Sequence, residues 1–160
     1  MPRVVLFQPQ IPPNTGNVAR TCAATGTPLH LIEPLGFSLA DRQLKRAGLD
    51  YWPLVDLHRH SNWEAFQTHV GAEGGRLVAL SSHADCNYSQ FSFADHDWLL
   101  FGRETDGLPD ALLAEVEHRL VIPMRHARRL QQPGVRSLNL SVSVAVVLFE
   151  ALRQLDQLRP

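Results

Sequence analysis

The chain has 160 residues, 44% of them hydrophobic and 19% charged, which suits one domain built on one core and excludes a disordered tail. A net charge of −1 gives no whole-molecule field for nucleic acid, so local patches would have to carry any such contact. The two cysteines, Cys22 and Cys86, are too few for a disulfide framework. With no apolar run long enough to span a membrane and no signal-peptide pattern, a cytoplasmic location is expected.

Val4 to Phe7 reads as a buried strand stopped by Gln8-Pro9. In QIPPNTGNVARTCAATG, Gln10 to Gly26, two prolines precede a helix that Asn14 or Thr15 is expected to cap and Gly26 to end. Asn17 and Arg20, three apart, can point at one spot. Leu29 to Ile32 is a second strand. A polar helix is expected from about Ala40 to Ala47, where Arg42, Lys45 and Arg46 read as a solvated face and only weakly suggest phosphate contacts. Pro53 to Leu57 reads as an edge strand, and Ser61-x-x-Glu64 as a capping box before a helix to about Val70.

Arg76 to Leu80 is a buried strand ending in Ser81-Ser82. Ala84 to His96 reads as loop, with a short strand near Phe91. The neighbours His83, Asp85 and Cys86 lack the ligand number and spacing of a metal site, and no other spacing suggests one, so no metal is expected. Trp98 to Phe101 is a strand that delivers Gly102, Glu104 and Gly107, a turn where a backbone without a Cβ can lie against a ligand. Pro109 is expected to begin a helix to about Val116, followed by a strand from His118 to Ile122. Met124 to Val135 is a basic loop. The final segment alternates like a strand, but its length and its helix-forming end favour a helix to Leu155. Alternating strands and helices imply a parallel α/β/α sheet covered on both faces, as one domain over 1–160.

Three segments carry a family resemblance: IPPNTGNVAR (Ile11 to Arg20), FGRETDGLP (Phe101 to Pro109), and IPM with RSLNLSVSVAV (from Ile122 and Arg136). In this order they resemble the SpoU branch of the SPOUT superfamily of RNA ribose 2′-O-methyltransferases. HLIEPLGF (His30 to Phe37) and KRAGLDY (Lys45 to Tyr51) are similar to its small bacterial members, which act on the wobble nucleotide, cytidine or carboxymethylaminomethyluridine, of leucine tRNAs. The resemblance implies a C-terminal deep trefoil knot, S-adenosylmethionine as methyl donor, a homodimer, and the tRNA anticodon stem-loop as partner. No general folding rule leads to a knot.

The resemblance also implies site residues. Leu80, Gly102, Glu104, Ile122, Met124, Ser137 and Leu138 would bind the donor, several through backbone groups. Arg20, Asn17, Glu104, Ser137 and Asn139 would be catalytic, with Glu104 either orienting the donor or bracing its loop. Arg20, Arg125, Arg128, Arg129 and Arg136 would bind RNA, and Arg20 would serve the partner subunit's donor site. A guanidinium is always charged, so Arg20 suits phosphate holding and hydroxyl orientation better than proton removal. Three features depart from the family: the longer basic loop from Arg125 to Val135, Val142 in place of Asn, and Phe149 in place of Tyr. An RNA-binding or assembly factor without turnover, or a methyltransferase with another RNA target such as a base, are the competing readings.

Overall fold

The computed structural model describes residues 1–40, 42, 44, 46, 51–124 and 135–158. Seven strands form one parallel sheet: β1 (Arg3–Phe7), β2 (Leu29–Ile32), β3 (Leu57–His60), β4 (Leu77–Leu80), β5 (Cys86–Asn87), β6 (Trp98–Phe101) and β7 (His118–Val121). Their order across the sheet is β3-β2-β1-β6-β4-β7-β5. The central strands VVLF, LHLI and WLLF are buried along their whole length, as a parallel sheet covered on both faces demands.

Alternate residues of each strand feed two cores. Val4 and Leu6 of β1, with Leu29, Leu31, Leu99 and Phe101, pack against helices α1 (Pro12–Thr25) and α4 (Leu140–Gln154). Val5 and Phe7, with Ala79 and Leu100, pack on the other face against α2 (Trp63–Glu73) and α3 (Asp110–Glu115). The result is the expected α/β/α layering. Among the described residues no helix is long and apolar enough to cross a membrane.

Several local expectations shift. Pro53 lies in a 3-10 turn, Trp52–Leu54, and the strand begins later, at Leu57, where no proline removes a ladder donor. Asn62 rather than Ser61 caps α2, its Oδ1 accepting from Ala65 N at 2.8 Å. Neither Asn14 nor Thr15 caps α1, which starts earlier, at Pro12; Gly26 ends it as expected, at φ 64°. Pro109 precedes α3 as its cap, and α4 starts at Leu140 with Asn139 as cap. The short strand expected near Phe91 is β5, at Cys86–Asn87. Most of the expected helix from Ala40 to Ala47, and the loop from 125 to 134, lie outside the described residues.

Candidate active site

Parallel strands place all their carboxyl ends along one edge. From β1 the chain first builds β2 and β3 on one side, while β6, β4 and β7 lie on the other. The direction of winding therefore changes between β1 and β6, which opens a crevice beyond their carboxyl ends. Two loops meet there: Gln8 to Ile11 after β1, and Gly102 to Leu108 after β6.

Side chains tie these loops together. The Glu104 carboxylate accepts from Gln10 N at 2.9 Å, Ile11 N at 3.0 Å and Asn14 Nδ2 at 3.3 Å. Gln10 and Ile11 lie just ahead of α1, where helix geometry leaves backbone donors without partners, so a carboxylate from another loop does the work of a cap. Arg103 donates to Gln8 Oε1 at 2.7 Å and pairs with Asp106, and Thr105 Oγ1 donates to Gln10 Oε1 at 2.8 Å. Asn14 Oδ1 in turn accepts from Asn139 Nδ2 at 2.9 Å, while Asn139 Oδ1 accepts from Ser141 N and caps α4. One chain of bonds, Glu104–Asn14–Asn139, thus joins the three motif segments.

The bonds that Glu104 makes here are those of a brace, because both its oxygens are engaged with the loop after β1. A Cβ at Gly102 would lie 2.2 Å from Gly107 C and 2.4 Å from Leu108 N, so on that side its missing side chain lets the turn close on itself. Gly107, at φ 73°, completes that turn by exchanging both backbone bonds with Arg103. Gly36 of HLIEPLGF lies equally close to Gln10, where a Cβ would stand 2.7 Å from its Cα.

The remaining expected residues fall into three groups. Leu80 and Ile122 end β4 and extend β7, neighbouring strands beside β6, and both pack half-buried against the core under α1 and α4, as does Leu140. Met124 is half-buried. Asn17, Arg20, Arg136, Ser137, Leu138 and Asn139 are exposed. Arg125, Arg128 and Arg129 lie outside the described residues. The Arg20 guanidinium stands 4.7 Å over the Tyr51 ring and donates to its hydroxyl at 3.4 Å. Tyr51 was not singled out as a site residue; its only signal was its place at the end of KRAGLDY. A cleft of about 610 Å³ lies elsewhere, between β5, β7 and α3, lined among others by Ser81, His83, Asp85 and Asp110. It holds none of the expected site residues, and the meeting of three motifs at the switch point is the stronger indication of a reaction centre.

The description "SpoU rRNA Methylase family" fits residues 1–149. The chain belongs to this SpoU family. A protein of Synechocystis sp. is 54% identical over 158 residues, with 99% of each chain covered. The Methylovorus glucosotrophus protein named tRNA (cytidine(34)-2′-O)-methyltransferase is 49% identical over 96% of this chain and 95% of its own. A solved structure described as giving structural insights into 2-OH methylation of C/U34 on tRNA superposes with a TM-score of 0.89 at 49% identity, covering 98% of this chain and 97% of that one. The SpoU methyltransferase AviRb of Streptomyces viridochromogenes, in complex with AdoMet, superposes with a TM-score of 0.82 at 25% identity, over 98% of this chain and 60% of its own.

S-adenosylmethionine is the methyl donor of the SpoU family. The chain's own residues suit it. Leu80 and Ile122 offer apolar walls at adjoining strand ends, and the backbone groups beyond β4, β6 and β7 can pair with a flat, uncharged base. As a SpoU protein the chain carries the three motif segments in one bonded unit, with Arg20 exposed two turns along α1 from Asn14.

Proposed function

We propose that the chain methylates the 2′-hydroxyl of the wobble nucleotide, cytidine or carboxymethylaminomethyluridine at position 34, of leucine tRNAs. The observation that carries the reading is the bonded unit Glu104–Asn14–Asn139 beside an exposed arginine, in a chain about half identical, end to end, to relatives named for position 34. When bound, the donor supplies an electrophilic methyl on a sulfonium. Arg20, oriented by Tyr51, holds the RNA phosphate and sets the ribose hydroxyl in line with that methyl. Ser137 and the α4 cap Asn139 are exposed and in this reading meet the same substrate, and Asn17 is exposed three residues before Arg20 on α1. Arg136 and the basic residues Arg125, Arg128 and Arg129 supply counter-charge to the anticodon stem-loop in an otherwise near-neutral chain.

The test is to incubate purified protein and S-adenosylmethionine with unmodified leucine tRNA and digest the product to nucleosides. A 2′-O-methylated nucleoside mapped to position 34 is expected. A methylated base, another position, or no transfer contradicts the reading.

The working form in this reading is a homodimer of single-domain, C-terminally knotted chains acting in the cytoplasm. Val142 and Phe149, seven residues apart on α4, are 46% and 45% exposed, and Leu138 and Val135 add apolar surface before them. The two departures from the family's polar residues thus extend an apolar stripe suited to a second copy. Arg20 then serves the donor site of the partner subunit. Mixed dimers of Arg20→Ala and Asn139→Ala chains should regain activity that each homodimer lacks; inactive, verified mixed dimers would place Arg20 in its own subunit's site.

A further inference from the structure

Four of the eight histidines gather on the sheet face covered by α2, away from the motif segments. The parallel register sets His30 of β2 directly beside His58 of β3 and sets His60 one pleat further along the same face. His69 comes down on them from α2. The ring centroids of His30, His60 and His69 are separated by 5.3, 5.5 and 5.1 Å, an almost equilateral triangle. One nitrogen from each of the three lies within 4.8 Å of the other two.

We propose that His30, His60 and His69 form a binding site for a divalent cation of the zinc class, with a fourth ligand from solvent. Imidazole nitrogens about 2.0–2.1 Å from a tetrahedral ion stand roughly 3.3 Å from one another. His30 Nδ1 and His60 Nε2 are already 3.0 Å apart, so that pair needs only a few tenths of an ångström of opening. His69 must close the larger gap. It is half-buried on a helix, and no described residue hydrogen-bonds its ring, so a side-chain rotation can bring it in without breaking a bond.

The donor set is all imidazole, with no thiolate. That selects zinc, cobalt, nickel or copper over magnesium and calcium. His30 and His60 are buried on adjacent strands and cannot spread far, and His58 stacks on His30 at 4.4 Å while its own Nε2 pairs with Asp56 at 2.9 Å. The exposed carboxylate of Asp56 is the negative charge on that side, and Arg3, which pairs with Glu73, is the positive one. The ion would pin β2, β3 and α2 together. No step of methyl transfer passes through it, and none of its ligands belongs to the Glu104–Asn14–Asn139 unit. The sequence gives little sign of the site, because its ligands are 30 and 9 residues apart, outside any local ligand spacing.

The experiment uses the full chain without a histidine tag, stripped with chelator and titrated with Co²⁺ and then Zn²⁺. One equivalent of Co²⁺ should give the intense visible bands of a four-coordinate site, and Zn²⁺ should displace it and raise the melting temperature. His69→Ala should weaken Co²⁺ binding at least tenfold. Cys86→Ser, beside the competing group of His83 and Asp85, should leave it unchanged. Absence of saturable binding, binding that survives His69→Ala, or binding lost with Cys86→Ser would overturn the proposal. A measurement on the unaltered protein does not depend on how the variant folds. One equivalent of Zn²⁺ should shift the ring-proton resonances of His30, His60 and His69 together, whereas shifts confined to His83, His96 or His118 would refute the site.

Discussion

Glu104 and Arg20 are both charged side chains of the motif segments, yet their surroundings differ in kind. Glu104 is enclosed by three donors from the neighbouring loop and helix start. Arg20 is exposed and, among the described residues, its guanidinium is bonded to the ring and hydroxyl of Tyr51 alone. Hydrogen bonds already made within the protein hold a loop in place and leave little for a ligand. An exposed guanidinium whose direction is fixed by an aromatic ring keeps its donors for a phosphate. The crevice is therefore divided into a brace that fixes the geometry and an outward face that, in the proposed function, meets the substrate. Damage to the brace should cost stability and activity together, while damage to the face should cost activity alone.

The largest effect is expected at Gly102. Gly102→Val puts side-chain atoms into the backbone of Gly107 and Leu108, so the whole turn must move. A loss of about 3 kcal/mol or more is expected in urea unfolding, with methyl transfer abolished. An unchanged midpoint would mean that the turn tolerates a Cβ and that the brace is softer than its contacts suggest.

Glu104→Ala comes next. It leaves the N–H groups of Gln10 and Ile11 without their acceptor, and a loss of about 2 kcal/mol is expected, as for charge-assisted bonds. Cys22 offers a second view of the same change. It is fully buried on the inner face of α1, and burial pushes its thiol up to about 12, so it resists alkylation while α1 stays docked. The exposed Cys86 should label at once in every variant. If α1 opens more readily once the brace is cut, Cys22 labelling should accelerate by roughly thirtyfold for about 2 kcal/mol. Labelling at the wild-type rate would show that α1 is held by its packing alone.

The smallest effect belongs to the outward face. Tyr51→Leu removes the ring under Arg20, and a loss of about two- to fivefold in methyl transfer is expected from an exposed cation–π contact of about 0.5–1 kcal/mol. Tyr51→Phe keeps the ring and should lose less. Neither should change Cys22 labelling. A fall in stability with either would move Tyr51 from the face to the brace.

Much of the sheet is legible in the sequence because VVLF, LHLI, LVAL and WLLF are short apolar runs bounded by turn residues, the signature of strands buried on both sides. The individual motif residues are legible too. Their bonding is not, since Glu104 reaches Asn14 across 90 residues and Asn139 reaches it across 125. Local capping rules assign Asn14 to the start of α1, but the acceptor there comes from the far side of the crevice. The contact at Gly102 is hidden for a similar reason: a glycine announces a close approach, and only the fold shows that Gly107 and Leu108 make one here. Tyr51 escaped notice because its partner lies 31 residues away. The capping of α2 moved by one position because Ser61 and Asn62 are both good caps and only the local geometry separates them.

The division between brace and face is tested most directly by Arg20→Ala, measured for methyl transfer to tRNA and for urea unfolding on the same preparation. Turnover should fall by about a hundredfold or more, as when a group aligning charge at a reacting centre is removed. The unfolding midpoint should stay within about 0.5 kcal/mol of the wild type, as for an exposed side chain. A loss of stability matching that of Glu104→Ala, or full activity without the guanidinium, would contradict the account.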